Sequence, residues 1–341
     1  MSQSKKWLVT GGLGFIGSAF VRIALSQRKD ISITVLDAMT YAANPLNLAS
    51  IADHPNYHFV PGDICNPEAI DQAIGGGVDA IINFAAETHV DRSILNADTC
   101  MQTNIIGTHN LLEAINKHNI QRFLQVSTDE VYGHIESGSS IETDPLRPRS
   151  PYAASKASAD LLALAYRTTY GTPILITRGS NTYGPYQYPE KLIPLFVMNL
   201  LQGNTVPVYG DGHQVRDWLY VDDHARGILH VLEYGALGEI YNLGGGNAHE
   251  NLEITKRLVE LTQRGFQEAV RHVADRPGHD RRYALNSDKA LRLGWAPRVP
   301  FEEGLSTTVE WYRTTTHSWS TTTNNAFVQQ YENSQLRSAS R

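Results

Sequence analysis

Cysteine is nearly missing from this chain: Cys65 and Cys100 are the only two in 341 residues. A lone pair of thiols makes neither a disulfide framework nor a zinc-binding pattern, and it suits a reducing, cytoplasmic setting. Excess positive charge is missing too. Lys and Arg total 29 against 35 Asp and Glu, a net charge of −6, which argues against nucleic acid as the main partner. A polyanionic ligand would have to meet a local basic cluster. No apolar run is long enough to span a bilayer, and nothing ahead of Trp7 reads as a secretory leader, so no membrane partner is expected. Metal spacing such as His-Glu-x-x-His is absent, as are internal repeats, and no metal is expected. His54 and His58 are four apart, but Pro55-Asn56 breaks any helix between them.

What the chain has is ample apolar material, 41% of residues, enough for one large domain or two coupled ones. Residues 6–10 read as a strand, followed by Gly11-Gly12-Leu13-Gly14-Phe15-Ile16-Gly17 and a helical stretch over 18–26. Glycines at 11, 14 and 17 let the chain turn tightly and approach a pyrophosphate held at a helix N-terminus. The next strand, 31–36, ends at Asp37, twenty residues after Gly17, the spacing of an acid that hydrogen-bonds a ribose diol. A carboxylate there repels a 2′-phosphate, which favours NAD over NADP. Strands at 57–60 and 80–83 alternate with helices at 67–74 and 97–117. Such a βαβ rhythm predicts an α/β, Rossmann-like, doubly wound parallel sheet.

The chemistry-bearing stretch comes next. Residues 122–126 read as a buried strand running into Ser127-Thr128-Asp129-Glu130-Val131-Tyr132-Gly133, so a hydroxyl and two carboxyls sit past a strand end, where open α/β sheets place ligands. A helix then starts at Ser150-Pro151-Tyr152-Ala153-Ala154-Ser155-Lys156, with Ser150 as N-cap and Pro151 in the first turn. Tyr152 and Lys156 are four apart and share a face. A free phenol ionises near ~10, and an adjacent ammonium favours the phenolate, giving a usable base. Tyr-x-x-x-Lys alone is common on helices; its company here gives it weight.

Together these motifs resemble the extended short-chain dehydrogenase/reductase superfamily, and Ser-Thr-Asp-Glu-Val-Tyr-Gly resembles its dTDP-glucose 4,6-dehydratases. Further matching blocks run from Glu87-Thr88-His89-Val90-Asp91-Arg92-Ser93 through Tyr183-Gly184-Pro185 and Arg216-Asp217-Trp218 to Asp275-Arg276-Pro277-Gly278-His279-Asp280. The resemblance implies NAD, held by Gly11, Gly14, Phe15, Ile16, Gly17, Asp37 and Thr40. It continues through Asp63, Ile64, Phe84, Ala85, Ala86, Thr88 and Thr103, and ends at Tyr152 and Lys156. It implies a nucleoside-diphosphate hexose as substrate, contacted by Thr88, Thr128, Asn181, Lys191, Leu192, Pro207, Tyr209, Arg216, Asn251, Arg276 and His279. Tyr152 takes the C4 hydroxyl proton, Thr128 bonds the C4 oxygen, Glu130 removes the C5 proton and Asp129 protonates the departing C6 hydroxyl. Thr182 departs from the pattern: the family has a second asparagine there that contacts the cofactor.

The resemblance also implies interwoven lobes. Residues 1–182 with a returning segment near 212–241 form the NAD-binding part, 183–211 and 242–312 the substrate-binding lobe, and 313–341 a polar tail. A homodimer through the helices near 97–117 and 152–170 is implied as well. Two other functions stay open. Of the other enzymes of the same superfamily, a UDP-sugar 4-epimerase is disfavoured by Asp129-Glu130, because epimerisation needs no C5 base, and a decarboxylase by the lack of an identifiable carboxylate-binding arginine. A non-catalytic NAD-binding regulator would be expected to lack Tyr152, Lys156 or Glu130. Residues 241–246 end a strand in three glycines, which reads as a turn before a helix or as a second phosphate loop.

Overall fold

A computed structural model describes residues 4–275 and 279–315. Arg276 and the expected tail beyond residue 315 lie outside them, and residues 313–315 close the last helix, Phe301–Thr315. The first strands are β1 (Lys5–Thr10), β2 (Ile31–Asp37), β3 (Tyr57–Pro61), β4 (Ala80–Asn83), β5 (Arg122–Thr128) and β6 (Ile174–Gly179). Short strands β7 (Asn181–Tyr183), β8 (Val206–Tyr209) and β9 (Val215–Tyr220) follow; β10 (Ile240–Leu243) rejoins the main sheet, and β11 (Ala248–Glu250) and β12 (Val270–Val273) complete the set. The main sheet has the order β10-β6-β5-β4-β1-β2-β3, and every pairing in it is parallel. The order in which strands are added reverses between β1 and β4, the switch point where doubly wound sheets open a crevice.

Both faces of this sheet are covered, so its central strands β4 and β6 are buried along their whole length, while β2 alternates at its start and the edge strand β3 keeps exposed positions. Within β1, Trp7 and Val9 enter one core with helices Phe15–Gln27 and Val221–Tyr234. Leu8 points to the opposite core, shared with helices Thr108–His118 and Pro151–Tyr170. A third core gathers Tyr183, Phe196, Val208, Trp218, Leu258 and Tyr312 from β7 onward. Beside it lie a three-stranded sheet, β11-β9-β7, and a two-stranded one, β12-β8.

One expected element differs. The helix anticipated over 97–117 is an α-turn at Asp98–Cys100, a π-helical stretch Met101–Gly107 and an α-helix Thr108–His118. π-Turns cluster at functional sites, and this one carries Thr103 on the cleft wall. Of the two readings of the glycines after β10, the structure has the turn rather than the phosphate loop. Gly245 N–H donates to Asp217 Oδ2 at 2.8 Å and Asn247 N–H to Asp217 Oδ1 at 2.7 Å. A Cβ on Gly245 would lie 1.9 Å from the Trp218 carbonyl, so the turn is packed tight against β9.

One buried cation ties the chemistry-bearing pieces together. Arg178, on β6 and only 1% exposed, donates from Nε to Asp160 Oδ2 at 2.9 Å and from Nη1 to the Tyr132 hydroxyl at 2.8 Å. Asp160 belongs to the helix of Tyr152 and Lys156, and Tyr132 to the 3₁₀ turn Asp129–Tyr132 that follows β5. Tyr132 in turn donates to Asn242 Oδ1 on β10 at 2.8 Å. Removing one partner of a buried ion pair strands the other. Arg178→Met is expected to lower unfolding free energy by about 3–5 kcal/mol, while Arg178→Met with Asp160→Leu recovers most of it. Urea midpoints check this; a single variant within about 0.5 kcal/mol of wild type would remove the bracket from this account.

Candidate active site

The strand ends and the third core enclose a cavity of about 480 Å³. Every candidate site residue among the described residues lines it, from Gly11 and Asp37 at one end to Asn251 and His279 at the other.

At the glycine end, backbone approach is enforced by sterics. Gly11 has φ +68°, and a Cβ on it would come within 2.6 Å of Ala85 N; one on Gly17 would lie 2.3 Å from the Gly11 carbonyl. Helix Phe15–Gln27 therefore starts close against the β1–β4 crossing, with Gly14 as an N-cap that offers no side chain to its first N–H groups. Those donors are what a diphosphate requires. Asp37 accepts from Leu13 N–H and Met39 N–H, both at 2.9 Å. Burial pushes its carboxyl up, and the two backbone donors pull it back. A carboxylate fixed by its own main chain keeps lone pairs for a ribose diol. Ala85, Ala86 and Thr88 along the wall leave room for the rest of a dinucleotide, so these residues fit NAD.

The middle of the cleft is built on three strand ends. Thr10 Oγ1 donates to Asn83 Oδ1 at 2.6 Å and Asn83 Nδ2 to Gln125 Oε1 at 2.8 Å, a buried polar chain fixing β1, β4 and β5 side by side. Past β5, Thr128 caps the 3₁₀ turn, its Oγ1 accepting from Glu130 N–H at 3.3 Å and approaching Asp129 Oδ1 at 3.2 Å. Across from it, Ser150 accepts from Ala153 N–H at 3.1 Å, with Pro151 in the first turn, so the helix starts where the sequence places it. Tyr152 N–H donates to Ser93 Oγ at 3.1 Å. Lys156 Nζ donates to the Val126 carbonyl at 2.7 Å.

Electrostatics separates these groups. Burial pushes the Asp129 carboxyl up to about 8, helped by the charges of Glu130 and Asp217. Its Oδ2 is buried without a hydrogen-bond partner. Asp129 thus holds a proton at neutral pH while its neighbour Glu130 is half-buried in the same cleft. Tyr152 differs from the sequence expectation. Burial, then the charges of Glu130 and Asp129, push its phenol well above the usual range; Thr128 pulls weakly the other way. Lys156 is itself pushed down to about 8 by burial. In the protein alone, desolvation and two carboxyls outweigh the ammonium, so a phenolate needs a further positive charge in the cleft.

At the far end, Asn181 Oδ1 and Asn251 Oδ1 are buried and unpartnered on the cavity wall. Arg216 lies over the Tyr283 ring at 4.3 Å and donates to the Val215 and Asp280 carbonyls, each at 2.8 Å. His279 is bonded to Asp275 Oδ1 at 2.6 Å and meets the Tyr209 ring edge-on. Lys191 is no loose surface lysine: its Nζ donates to the Thr88 carbonyl at 2.5 Å. Sequence reasoning passed over Glu190 and His224 as cleft residues, and Tyr41 as the partner that holds Glu190. Tyr41 bonds both Glu87 Oε1 at 3.0 Å and Glu190 Oε1 at 3.1 Å, and burial pushes Glu190 up to about 7. Nothing in local spacing marks them, because their partners come from distant strands. Thr182, the departure from pattern, bonds His224 Nδ1 at 2.8 Å. Among the described residues no group of three side chains could hold a metal ion, and no helix is long and apolar enough to cross a membrane.

Comparison with known proteins adds an independent line. A family model described as GDP-mannose 4,6 dehydratase matches residues 8–308. The chain is 52% identical over 317 residues to a dTDP-glucose 4,6-dehydratase of Streptomyces niveus, covering 92% of this chain and 94% of that protein. Its structure superposes on DesIV, a dTDP-glucose 4,6-dehydratase from Streptomyces venezuelae solved with NAD bound, at TM-score 0.90 and 51% identity, over 92% of this chain and 99% of that one. A UDP-glucose 4-epimerase from Thermus thermophilus, also with NAD, aligns at TM-score 0.83 but 31% identity, over 90% and 99% of the two chains.

The shifted Asp129 carboxyl has a stability consequence. Its folded value is above the unfolded one, so its contribution is full below about pH 4 and is lost as pH rises through about 8. Asp129→Asn, which cannot ionise, is expected to match wild type near pH 4 and exceed it by about 1–3 kcal/mol at pH 8. Thermal melts across that range check the sign; parallel curves for the two proteins would contradict a buried, protonated Asp129.

Proposed function

The chain belongs to the dTDP-glucose 4,6-dehydratases of the GDP-mannose 4,6 dehydratase family, and from that premise we infer how its own side chains divide the reaction. The enzyme is an NAD-dependent hydro-lyase, converting dTDP-glucose to dTDP-4-keto-6-deoxyglucose by C4 oxidation, loss of water across C5–C6 and reduction at C6. NAD, when bound, supplies a fixed positive charge and a two-electron acceptor that takes hydride from C4 and returns it to C6.

Tyr152 is the base for the C4 hydroxyl proton. With the positive charge of NAD in the cleft, the Tyr152 phenol would ionise more readily against the burial and the Glu130 charge that hold it protonated in the protein alone. Lys156, anchored on the Val126 carbonyl, orients the nicotinamide ribose, and Thr128 hydrogen-bonds the C4 oxygen. Once C4 is a ketone, the C5 proton is acidified; Glu130 removes it, Asp129 gives its proton to the departing C6 hydroxyl, and when hydride is added at C6 Glu130 returns the proton to C5. The observation that carries this division is the 3₁₀ turn Asp129–Tyr132, where a buried carboxyl held protonated adjoins a half-buried one. Two carboxyls in unlike environments are what paired acid and base chemistry asks for. An epimerase inverts C4 without breaking a bond at C5 or C6 and has no use for them.

Asn181, Arg216 and Asn251 hold the nucleoside diphosphate: Arg216 offers a planar cation suited to phosphate, the Asn181 amide N–H groups donate to phosphate oxygens, and the unpartnered Asn251 oxygen accepts from the nucleoside. Pro207, Tyr209 and His279, with Lys191 and Leu192, enclose the base end. Residues 1–182 and the segment near 212–241 form the NAD-binding part, and 183–211 with 242–312 the substrate lobe. Support comes from the division of the cores: Phe196, Val208 and Leu258 gather in the third one, while Val221, Ala225 and Leu232 of the returning segment join a core of the main sheet. The chain works as a homodimer in the cytoplasm. Exposed Leu161 and Tyr170 on the catalytic helix give apolar surface for a partner, and two free cysteines suit a reducing compartment.

Glu130→Gln is expected to lower product formation by about 10²–10⁴-fold while still reducing bound NAD, visible as NADH absorbance on adding dTDP-glucose. Tyr152→Phe is expected to show neither product nor the absorbance. Full turnover by the first variant removes Glu130 from its role, and NADH formation by the second does the same for Tyr152.

A further inference from the structure

Thr182 and His224 form a small buried apparatus that the reaction scheme leaves unused. His224 is 2% exposed, lies on the cleft wall and has its Nε2 buried without a hydrogen-bond partner. The Thr182 hydroxyl has one proton, and it donates that proton to the Ser180 carbonyl at 3.1 Å. With that proton on the Ser180 carbonyl, the 2.8 Å contact with His224 Nδ1 is one the imidazole N–H donates to Thr182. Burial pushes the imidazole down to about 4, so the ring is neutral and carries one N–H. With that proton on Nδ1, Nε2 is a bare acceptor.

Its place in the fold says what it would accept from. A Cβ on Gly179 would lie 2.4 Å from His224 Cε1 and 2.5 Å from Nε2, so glycine alone admits the ring there. Gly179 is the register partner of Thr128 on β5, which puts the imidazole one strand away from the Thr128 hydroxyl. The helix of His224 shares a core with the glycine-loop helix, whereas Tyr152 rises from the opposite face of the sheet. A flat ring laid over these strand ends has Tyr152 on one side and His224 on the other. The neutral N–H donor at the reacting end of NAD is its carboxamide.

We propose that His224 is a positioning residue for the cofactor, its Nε2 accepting a hydrogen bond from the nicotinamide carboxamide while Thr182 fixes the tautomer. The inference rests on the reading of the cleft as an NAD site. The bond orients the ring plane toward Tyr152 and the substrate carbon, and an orphaned acceptor in the protein alone becomes satisfied when NAD binds.

The test compares binding of NAD with binding of 3-acetylpyridine adenine dinucleotide, in which a methyl ketone replaces the carboxamide and no N–H remains. By titration calorimetry the wild-type chain, stripped of nucleotide, is expected to prefer NAD by about 5- to 10-fold. His224→Phe, which keeps an aromatic ring of similar bulk, is expected to bind both alike, and His224→Gln, which restores an acceptor, to regain part of the preference. A second reading needs no variant: in ¹⁵N-histidine protein, the unprotonated Nε2 resonance is expected to move upfield when NAD is added. Preference retained in His224→Phe, or an Nε2 signal indifferent to NAD, overturns the proposal while leaving the NAD site intact. A wild-type chain that binds neither dinucleotide overturns both.

Discussion

The catalytic geometry hangs on a charge that never sees water. Arg178, inside β6, reaches one way to Asp160 on the helix of Tyr152 and Lys156, and the other way to Tyr132 on the turn of Asp129 and Glu130. Two segments that meet only in the folded chain are thereby held to one rigid post. Replacing such a pair with apolar residues often costs a fold little; what the pair supplies here is placement. Those guanidinium hydrogen bonds tie the helix of Tyr152 and the turn of Asp129 and Glu130 to the same strand.

Placement alone would not divide the labour between Asp129 and Glu130. Their difference comes from depth. Asp129 is 3% exposed, and its Oδ2 meets no partner, so its ionised form is penalised and it keeps a proton. The same water-poor environment acts against Tyr152, whose phenol is harder to ionise in the protein alone than in water. In the proposed scheme the positive charge of bound NAD would offset that penalty, and an acid that is already protonated would be ready when the ketone forms. Stability and chemistry pull apart at this turn, as they do wherever a site stores an unsatisfied polar group.

Much of this could be read before any coordinates. The glycines of the first turn, Asp37 at the end of β2, and the Tyr152–Lys156 spacing each follow from a local rule: a tight turn, a strand end, a helix face. The parallel, doubly wound order follows from alternation of short apolar runs with amphipathic ones. Contacts formed between distant segments could not be read. Arg178 sits in Ile-Leu-Ile-Thr-Arg-Gly, where a charge looks like a strand leaving the core; its partners lie 18 and 46 residues away. His224 follows two aspartates at a helix start and resembles an ordinary first-turn residue until β6 is laid beside it. The π-helical stretch around Thr103 keeps the hydrophobic pattern of an α-helix, so periodicity does not reveal it. Nor did spacing foresee that burial and two carboxyls would outweigh Lys156 at the Tyr152 phenol.

These pieces make one claim: a single cleft opens and closes a redox loop on one hexose, with water lost in between. Following the C4 hydrogen tests it directly. With dTDP-glucose deuterated at C4, the product's C6 methyl group should carry the label, as read by mass spectrometry and ²H NMR, even in the presence of excess unlabelled NADH. Label appearing in the medium or in free cofactor, with an unlabelled methyl group in the product, would contradict the account.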